Sequence, residues 1–404
     1  MSKKIIVMLL LTGALAGLLP SVSASRVIEI RKKAELNPTI AFAGVPGDQK
    51  LSADIKRFLA FSGWFDAVPA GRYADYTVKA EKSGTYLTVY LYRGEQRLTG
   101  WRFRDSGNSR AMGKSVVDTI IEYVFQQLKV KGFCHSRIAF AAETAPGVRN
   151  IFLCDIDGGN VEQLTAYRTL NVEPCWSPTG KTVCFSKYGK SGIDIVETTV
   201  QKPRRSRILT SFRGINTGAA ISPDGKYMAA ILSPDHQVDL YVLGLAGRSQ
   251  TRLTRGIAVE ASPCWSPDGR KLAFVSDSRG NPRIFTVNSD GSGLTMLPSV
   301  GIDAVTPAWS SDGKIAYATR LSRAGNYVLA VYDLDSKENK VVSKGAGSWE
   351  SPCWAADNRQ VVCKRILNNK SSLWIVDTRT GRERELLHTG SELFDPAWSP
   401  CTKR

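Results

Sequence analysis

Histidine is almost missing from this chain: three in 404 residues, His135, His236 and His388. They fall in different repeats or at repeat junctions, and their positions resemble neither a metal set nor a catalytic triad. No Gly-x-Ser-x-Gly, no Cys-x-x-Cys and no glycine-rich phosphate loop occurs. The sequence signatures of α/β hydrolases, thiol oxidoreductases and nucleotide-binding folds are therefore lacking. Acidic residues are scarce, 37 against 54 Lys and Arg, for a net charge of +17. That surplus favours encounter with anionic partners. The basic residues are scattered, however (Arg204-Arg205, Arg270-Lys271, Arg382 to Arg384), and read first as a solvated basic surface. No low-complexity tract appears, and 23% charged with 43% hydrophobic residues is ordinary for a globular protein.

Beyond residue 24 no apolar run could cross a bilayer. Before it, Lys3 and Lys4 form a positive n-region, Ile5 to Leu19 an apolar stretch, and Val22-Ser23-Ala24 a small-residue cleavage site. About 15 apolar residues fall short of the ~20 that a spanning helix needs. Residues 1–24 are expected to be a cleaved secretory signal. Its removal would take Lys3 and Lys4 away and leave +15.

What the chain has is a repeat. Trp176-Ser177-Pro178-Thr179-Gly180, Ile221-Ser222-Pro223-Asp224-Gly225, Trp265-Ser266-Pro267-Asp268-Gly269 and Trp309-Ser310-Ser311-Asp312-Gly313 are followed by Trp354-Ala355-Ala356-Asp357-Asn358 and a truncated Trp398-Ser399-Pro400. Successive anchors lie 45, 44, 44, 45 and 44 residues apart. This period is that of a four-stranded propeller blade, so six anchors predict six blades. Residues 132–404 are assigned to the propeller. It begins at Arg137-Ile138-Ala139-Phe140, which matches a second strand, and ends at Phe394 to Pro400, which matches a first. The C-terminal strand should therefore complete the first repeat and close the ring. Asp157-Gly158 and Asp290-Gly291 suggest type I′ hairpin turns.

Residues 25–131 lack the repeat and are expected to form a small α/β domain. Thr39 to Val45 is β-rich. Leu51, Ile55, Phe58 and Leu59 lie on one helical face. Tyr86 to Tyr92 and Gln96 to Arg104 read as strands joined at Arg93-Gly94-Glu95. A second helix is expected from Ser109 to Leu128, with Val117, Ile120, Ile121, Val124 and Leu128 facing the core.

Eight cysteines invite a disulfide framework. Repeat alignment places Cys134 and Cys401 at one blade position, where a bridge Cys134–Cys401 would clasp the ring and contribute roughly 5 kcal/mol by loop entropy. Around a turn centred on Thr179-Gly180, Cys175 faces Cys184, so a bridge Cys175–Cys184 is plausible. Cys353 and Cys363 are one residue out of such register, while Cys264 and Cys154 read as small core residues. The Asp-Gly pairs could hold calcium, but turn geometry explains them better. No other cofactor is expected.

An export signal, a small α/β domain and six Pro-x-Trp-Ser-Pro-Asp-Gly repeats closed by Pro396-Ala397-Trp398-Ser399-Pro400 together resemble the TolB family of the Tol–Pal system. Similar blades occur in propeller peptidases, which append a hydrolase domain. The second anchor, Ile221, and the eight cysteines depart from the family pattern. The resemblance implies a non-enzymatic periplasmic adaptor. Its partners would be a peptidoglycan-associated outer-membrane lipoprotein at the channel mouth and an inner-membrane TolA-like protein at the N-terminal region. It also implies a role in envelope integrity and outer-membrane constriction during division. Val27, Ile28 and Ile30 are available to add a strand to a partner. The alternative is an exported hydrolase or lyase with a channel active site.

Propeller geometry points independently to the residues just before each anchor. Asn171, Glu173, Asn216, Thr217, Glu260, Ser262, Thr306, Glu350, Ser351, Phe394 and Asp395 are expected to converge on one channel mouth. Each of them has a competing role as a strand cap or channel-hydrating group.

Overall fold

The computed structural model describes residues 37–247 and 249–401, so the signal segment, Val27, Ile28 and Ile30 lie outside the described residues. The protein is mainly β, a six-bladed propeller preceded by a helix-containing α/β region.

The α/β region is a five-stranded sheet of β1 (Thr39–Phe42), β2 (Asp66–Val68), β3 (Tyr76–Ser83), β4 (Tyr86–Arg93) and β5 (Gln96–Arg104), ordered β2-β1-β3-β4-β5. Two helices, α1 (Gln49–Ser62) and α2 (Ser109–Val124), pack on one face. Each starts where a side chain caps it: Asp48 accepts from Leu51 N and Asn108 from Ala111 N, both at 3.0 Å. Leu51, Ile55 and Phe58 of α1 meet Val116, Val117, Ile120 and Ile121 of α2 over the inward residues of β3 and β4. The expected α2 face holds except at its end. The helix stops at Val124, a 3₁₀ turn follows, and Leu128 is exposed because Lys129 in the left-handed region turns the chain away.

Six four-stranded antiparallel sheets follow. The anchors end the innermost strands: Asn171–Trp176, Asn216–Ile221, Glu260–Trp265, Val305–Trp309, Ser348–Trp354 and Leu393–Trp398. The last pairs with Arg137–Ala145, Trp398 opposite Ile138, so the C-terminal strand closes the ring as the truncated repeat implies. The Asp-Gly turns are of another type than expected. Gly158 and Gly291 have φ of 75° and 90°, but Asp157 and Asp290 are not left-handed, and the amides of Gly158 and Gly291 donate to Asp155 O and Asn288 O. Each is thus a turn followed by a left-handed glycine, which needs one positive φ instead of the two of type I′.

Adjacent blades are tied in two alternating ways. Trp176, Trp265 and Trp354 donate their indole N–H to Ala397 O, Ala220 O and Ala308 O at 2.9–3.0 Å. At the other three junctions the residue before the anchor is cysteine, and its sulfur accepts the next anchor's backbone N–H. Trp398 N lies 3.2 Å from Cys353 Sγ, and Ile221 and Trp309 do the same for Cys175 and Cys264. Burial pushes the Cys353 and Cys264 thiols up to about 11 and 12, which makes them weak nucleophiles. All eight cysteines are thiols in the structure. Cys175 stands opposite Cys184 in the strand register, and Cys401 Sγ donates to Gly132 O at 2.6 Å, two residues before Cys134.

The α/β region and the propeller share one hydrophobic core, in which Phe125 packs on Trp64 and Phe133 on Trp398. Beside it, blade residues Asp357, Arg359 and Gln360 reach Trp64, Asn37 and Ser62.

Candidate functional site: the propeller channel

Proline stands two places before the anchor in five of six repeats: Pro174, Pro263, Pro307, Pro352 and Pro396. Lacking an N–H, proline cannot continue a strand ladder. Every innermost strand slips register there, between Thr217 and Ala220, Ala261 and Cys264, Val305 and Ala308, Glu350 and Cys353, Phe394 and Ala397, and at Cys184/Ser186 opposite Pro174. The slip persists in the repeat with Ala219, so proline suits the bulge without being its sole cause. The residue three before the anchor is thrown into the left-handed region in all six blades: Glu173 (φ 56°), Gly218 (63°), Ser262 (49°), Thr306 (50°), Ser351 (50°) and Asp395 (47°). Left-handed backbone is uncommon for any residue but glycine and rarest for β-branched threonine. Strain repeated in five of six blades around one axis marks a constrained surface. Where proline is replaced, by Ala219, the left-handed residue is glycine, which adopts that backbone without strain.

These six residues ring a channel cavity of about 760 Å³, which also reaches Lys129 and Lys131 near its other end. Their bonds run around the ring. Glu173 Oε2 accepts from Ser186 Oγ (2.9 Å), from Gly218 N (3.0 Å) and from Thr217 Oγ1. Ser351 Oγ donates to Asp395 Oδ1 at 3.2 Å, and the Glu173 backbone N–H donates to the same carboxyl. Burial, and then the charge of Glu173, raise the Asp395 pKa despite Lys364 nearby. Thr306 Oγ1 is buried without a partner.

The expected mouth residues thus divide. Glu173, Thr217, Ser262, Thr306, Ser351 and Asp395 are on or beside the ring. Asn171, Asn216 and Glu260, five before their anchors, are buried between blades and do not line the channel. The two asparagines close the preceding loops: Asn216 Nδ2 donates to Phe212 O (2.6 Å), and Asn171 Nδ2 to Arg149 O (2.7 Å) and Thr169 O (2.9 Å). Glu260 has no N–H to offer. Its Oε1 accepts from Ser276 Oγ at 3.3 Å, Oε2 has no partner, and the loop before it stands over a cavity of about 490 Å³.

Phe394 and Glu350, four before their anchors, belong to a half-exposed cluster. The Arg149 guanidinium lies 3.5 Å from the Phe394 ring centroid, and Lys364 Nζ lies 4.7 Å from it and 3.5 Å from Glu350 Oε2. Tyr188, partly exposed, feels both Glu173 and Asp395. Gly218, Arg149 and Lys364 were not anticipated from the sequence. The glycine was signalled by the missing proline; the two cations come from neighbouring strands and carry no local mark. Among the described residues no cluster of His, Cys, Asp and Glu could hold a metal ion.

The family described as the TolB beta propeller domain matches residues 125–402. The Tol-Pal system protein TolB of Anaeromyxobacter dehalogenans (strain 2CP-1 / ATCC BAA-258) is 30% identical over 210 residues, 51% of this chain and 47% of that protein. The protein of the same name from Desulfosudis oleivorans is 33% identical over 133 residues, 33% of this chain and 30% of its own. The chain thus spans about half, or less, of the length of these curated relatives. A crystal structure of TolB from Acinetobacter baumannii superposes with a TM-score of 0.81 at 22% identity, over 91% of this chain and 97% of that one, a likeness of fold.

Proposed function

Because the chain belongs to the TolB β-propeller family, we propose that it is a non-enzymatic periplasmic adaptor of a Tol–Pal-type envelope complex. A peptidoglycan-associated lipoprotein binds at the channel mouth, and a TolA-like inner-membrane protein binds residues 25–33, with Val27, Ile28 and Ile30 adding a strand. The assembly supports envelope integrity and constriction in division. Cys134–Cys401 and Cys175–Cys184 are the disulfides proposed for the exported form, and a non-reducing peptide map reads them directly.

The observation that carries this reading is the ring of six left-handed bulge residues with Phe394 beside it. A ring of backbone turns and small polar groups can grip a short segment from several blades, while a half-exposed aromatic held between two cations offers an anchor. Phe394→Ala is expected to weaken binding of the purified lipoprotein at least tenfold, about 1.4 kcal/mol or more. Isothermal titration with the mature protein measures it. Unchanged affinity with an intact fold would remove Phe394 and its surroundings from the interface. Deleting residues 25–33 should abolish TolA-like binding while sparing the lipoprotein.

A further inference from the structure

The solvent-facing side of the α/β sheet carries a row of cations with no acidic partner among the described residues. Lys79 of β3 and Arg97, Arg102 and Arg104 of β5 are exposed, and none forms an ion pair with a described residue. Three are braced on tyrosines of β4, the strand between them. Arg102 lies 3.9 Å from the Tyr86 ring centroid, Arg97 5.0 Å from Tyr90 and Lys79 4.7 Å from Tyr92. Such cation–π contacts hold long side chains in place and lower the entropy lost when an anion binds. Among the described residues Glu81 is the carboxylate set between these cations on β3 and β5, and it forms no ion pair there.

β5 is also an edge. It closes the strand order, and no described strand pairs with its outer side. Its side chains alternate. Arg102 and Arg104 point to solvent, while Trp101 and Phe103 are half-buried against the helices, as is Leu98 at the bulge opposite Leu91 and Tyr92. Gly100, between them, has no side chain because the Tyr90 ring occupies that space: an added Cβ would lie 2.7 Å from it. An unpaired edge with one charged and one apolar row is a template for a strand of complementary pattern.

We propose that β5 is a docking edge for an extended peptide of alternating acidic and apolar residues. The peptide adds as a sixth strand, its carboxylates meeting Arg97, Arg102 and Arg104 and its apolar side chains covering Leu98, Trp101 and Phe103. The charge of the edge selects this occupant. The chain's own residues 25–36, with Arg26, Arg31, Lys32 and Lys33 against Glu29 and Glu35, carry the wrong sign.

A labelled (Glu-Val)₄ peptide titrated against the mature protein tests this by fluorescence anisotropy, with amide hydrogen exchange as the structural readout. Saturable binding is expected, together with slowed exchange of the Gln96–Arg104 amides that face away from β4. Arg102→Glu/Arg104→Glu should weaken it at least tenfold, and Arg102→Gln/Arg104→Gln less, with lipoprotein affinity unchanged as the control for folding. Of two peptides N-methylated on alternate residues, one should lose binding and the other keep it, because only one edge of the added strand pairs with β5. Three results would each overturn the proposal: no binding, equal binding of polyglutamate without exchange protection, or equal loss with both methylated peptides. So would protection, without peptide, of the β5 amides that face away from β4, since a segment of the chain would then hold the edge.

Discussion

Replacing Arg359 by alanine is expected to destabilise the protein by about 3–5 kcal/mol, the cost of leaving a buried charge without its partner. Arg359 is 5% exposed and Asp377 1%. The guanidinium donates to Asp377 and, at 2.7 Å, to Asn37 Oδ1, and it lies 4.5 Å from the Trp64 ring centroid. Burial pushes the Asp377 carboxyl upward, but the hydrogen bond and charge of Arg359, with the amides of Thr380 and Arg379, outweigh it and hold the pKa below the usual value. A depressed carboxylate contributes stability above its unfolded pKa and loses it as pH falls through the folded one. The deficit of Arg359→Ala should therefore be full at neutral pH and shrink in acid. Because Asn37 and Trp64 belong to the α/β region and Asp377 to a blade, the variant should also loosen the junction of the two. Urea unfolding at pH 7 measures the loss. In a double-mutant cycle the Asp377→Asn/Arg359→Ala variant should be far less damaged than the single losses summed. A loss below about 1 kcal/mol would show that the junction rests on the shared apolar core alone.

The architecture could be read from spacing. An anchor every 44 or 45 residues, and one truncated copy, gave blade number, strand order and ring closure, because a repeat can bury its apolar faces only against its neighbours. In the α/β region periodicity shows both helices and the strands β1, β4 and β5, while β2 (Asp66–Val68) and β3 (Tyr76–Ser83) were not anticipated. Two things were misjudged locally. Asp-Gly was assigned two left-handed residues where the turn needs one, and Leu128 was carried along a helix that ends four residues earlier. The channel was half legible. Position relative to the anchor placed Ser262, Thr306, Ser351 and Asp395 on a ring, but it treated the strand as regular. The bulge at that point, which proline occupies in five of the six repeats, shifts which residue faces the axis. Asn171, Asn216 and Glu260 consequently turn between blades, while the residue two places on faces the channel. The cations around Phe394 come from two other strands, and no single repeat contains that arrangement.

Glu260→Gln is expected to stabilise the protein at pH 8 and to leave it unchanged at pH 4. Asn171 and Asn216, at the same blade position, donate to the loops before them. Glu260 instead carries a carboxyl with one unpartnered oxygen, beside Ser276 and within the field of Asp239 and Asp277. Burial first, and those two acids after it, raise its pKa to about 7 from 4.5. A raised folded pKa means that the folded state holds the proton longer than the unfolded chain does. Its favourable contribution is complete below pH 4.5 and is lost as pH rises through about 7. At 1.36 kcal/mol per unit the ionised form costs about 3 kcal/mol at pH 8, less whatever the loop relaxes. Glutamine removes the charge and supplies an N–H where the asparagines have one. Urea unfolding of both proteins at pH 4, 6 and 8 should show wild-type stability falling relative to the variant across that range. A constant offset would show instead that the gain comes from the new hydrogen bond alone, and a parallel loss at every pH would mean that the carboxylate is needed in its ionised form. The charge sits beside the exposed Ile257 on the loop before Glu260, so exchange of the Thr254–Val259 amides should slow in the variant at pH 8 but not at pH 4.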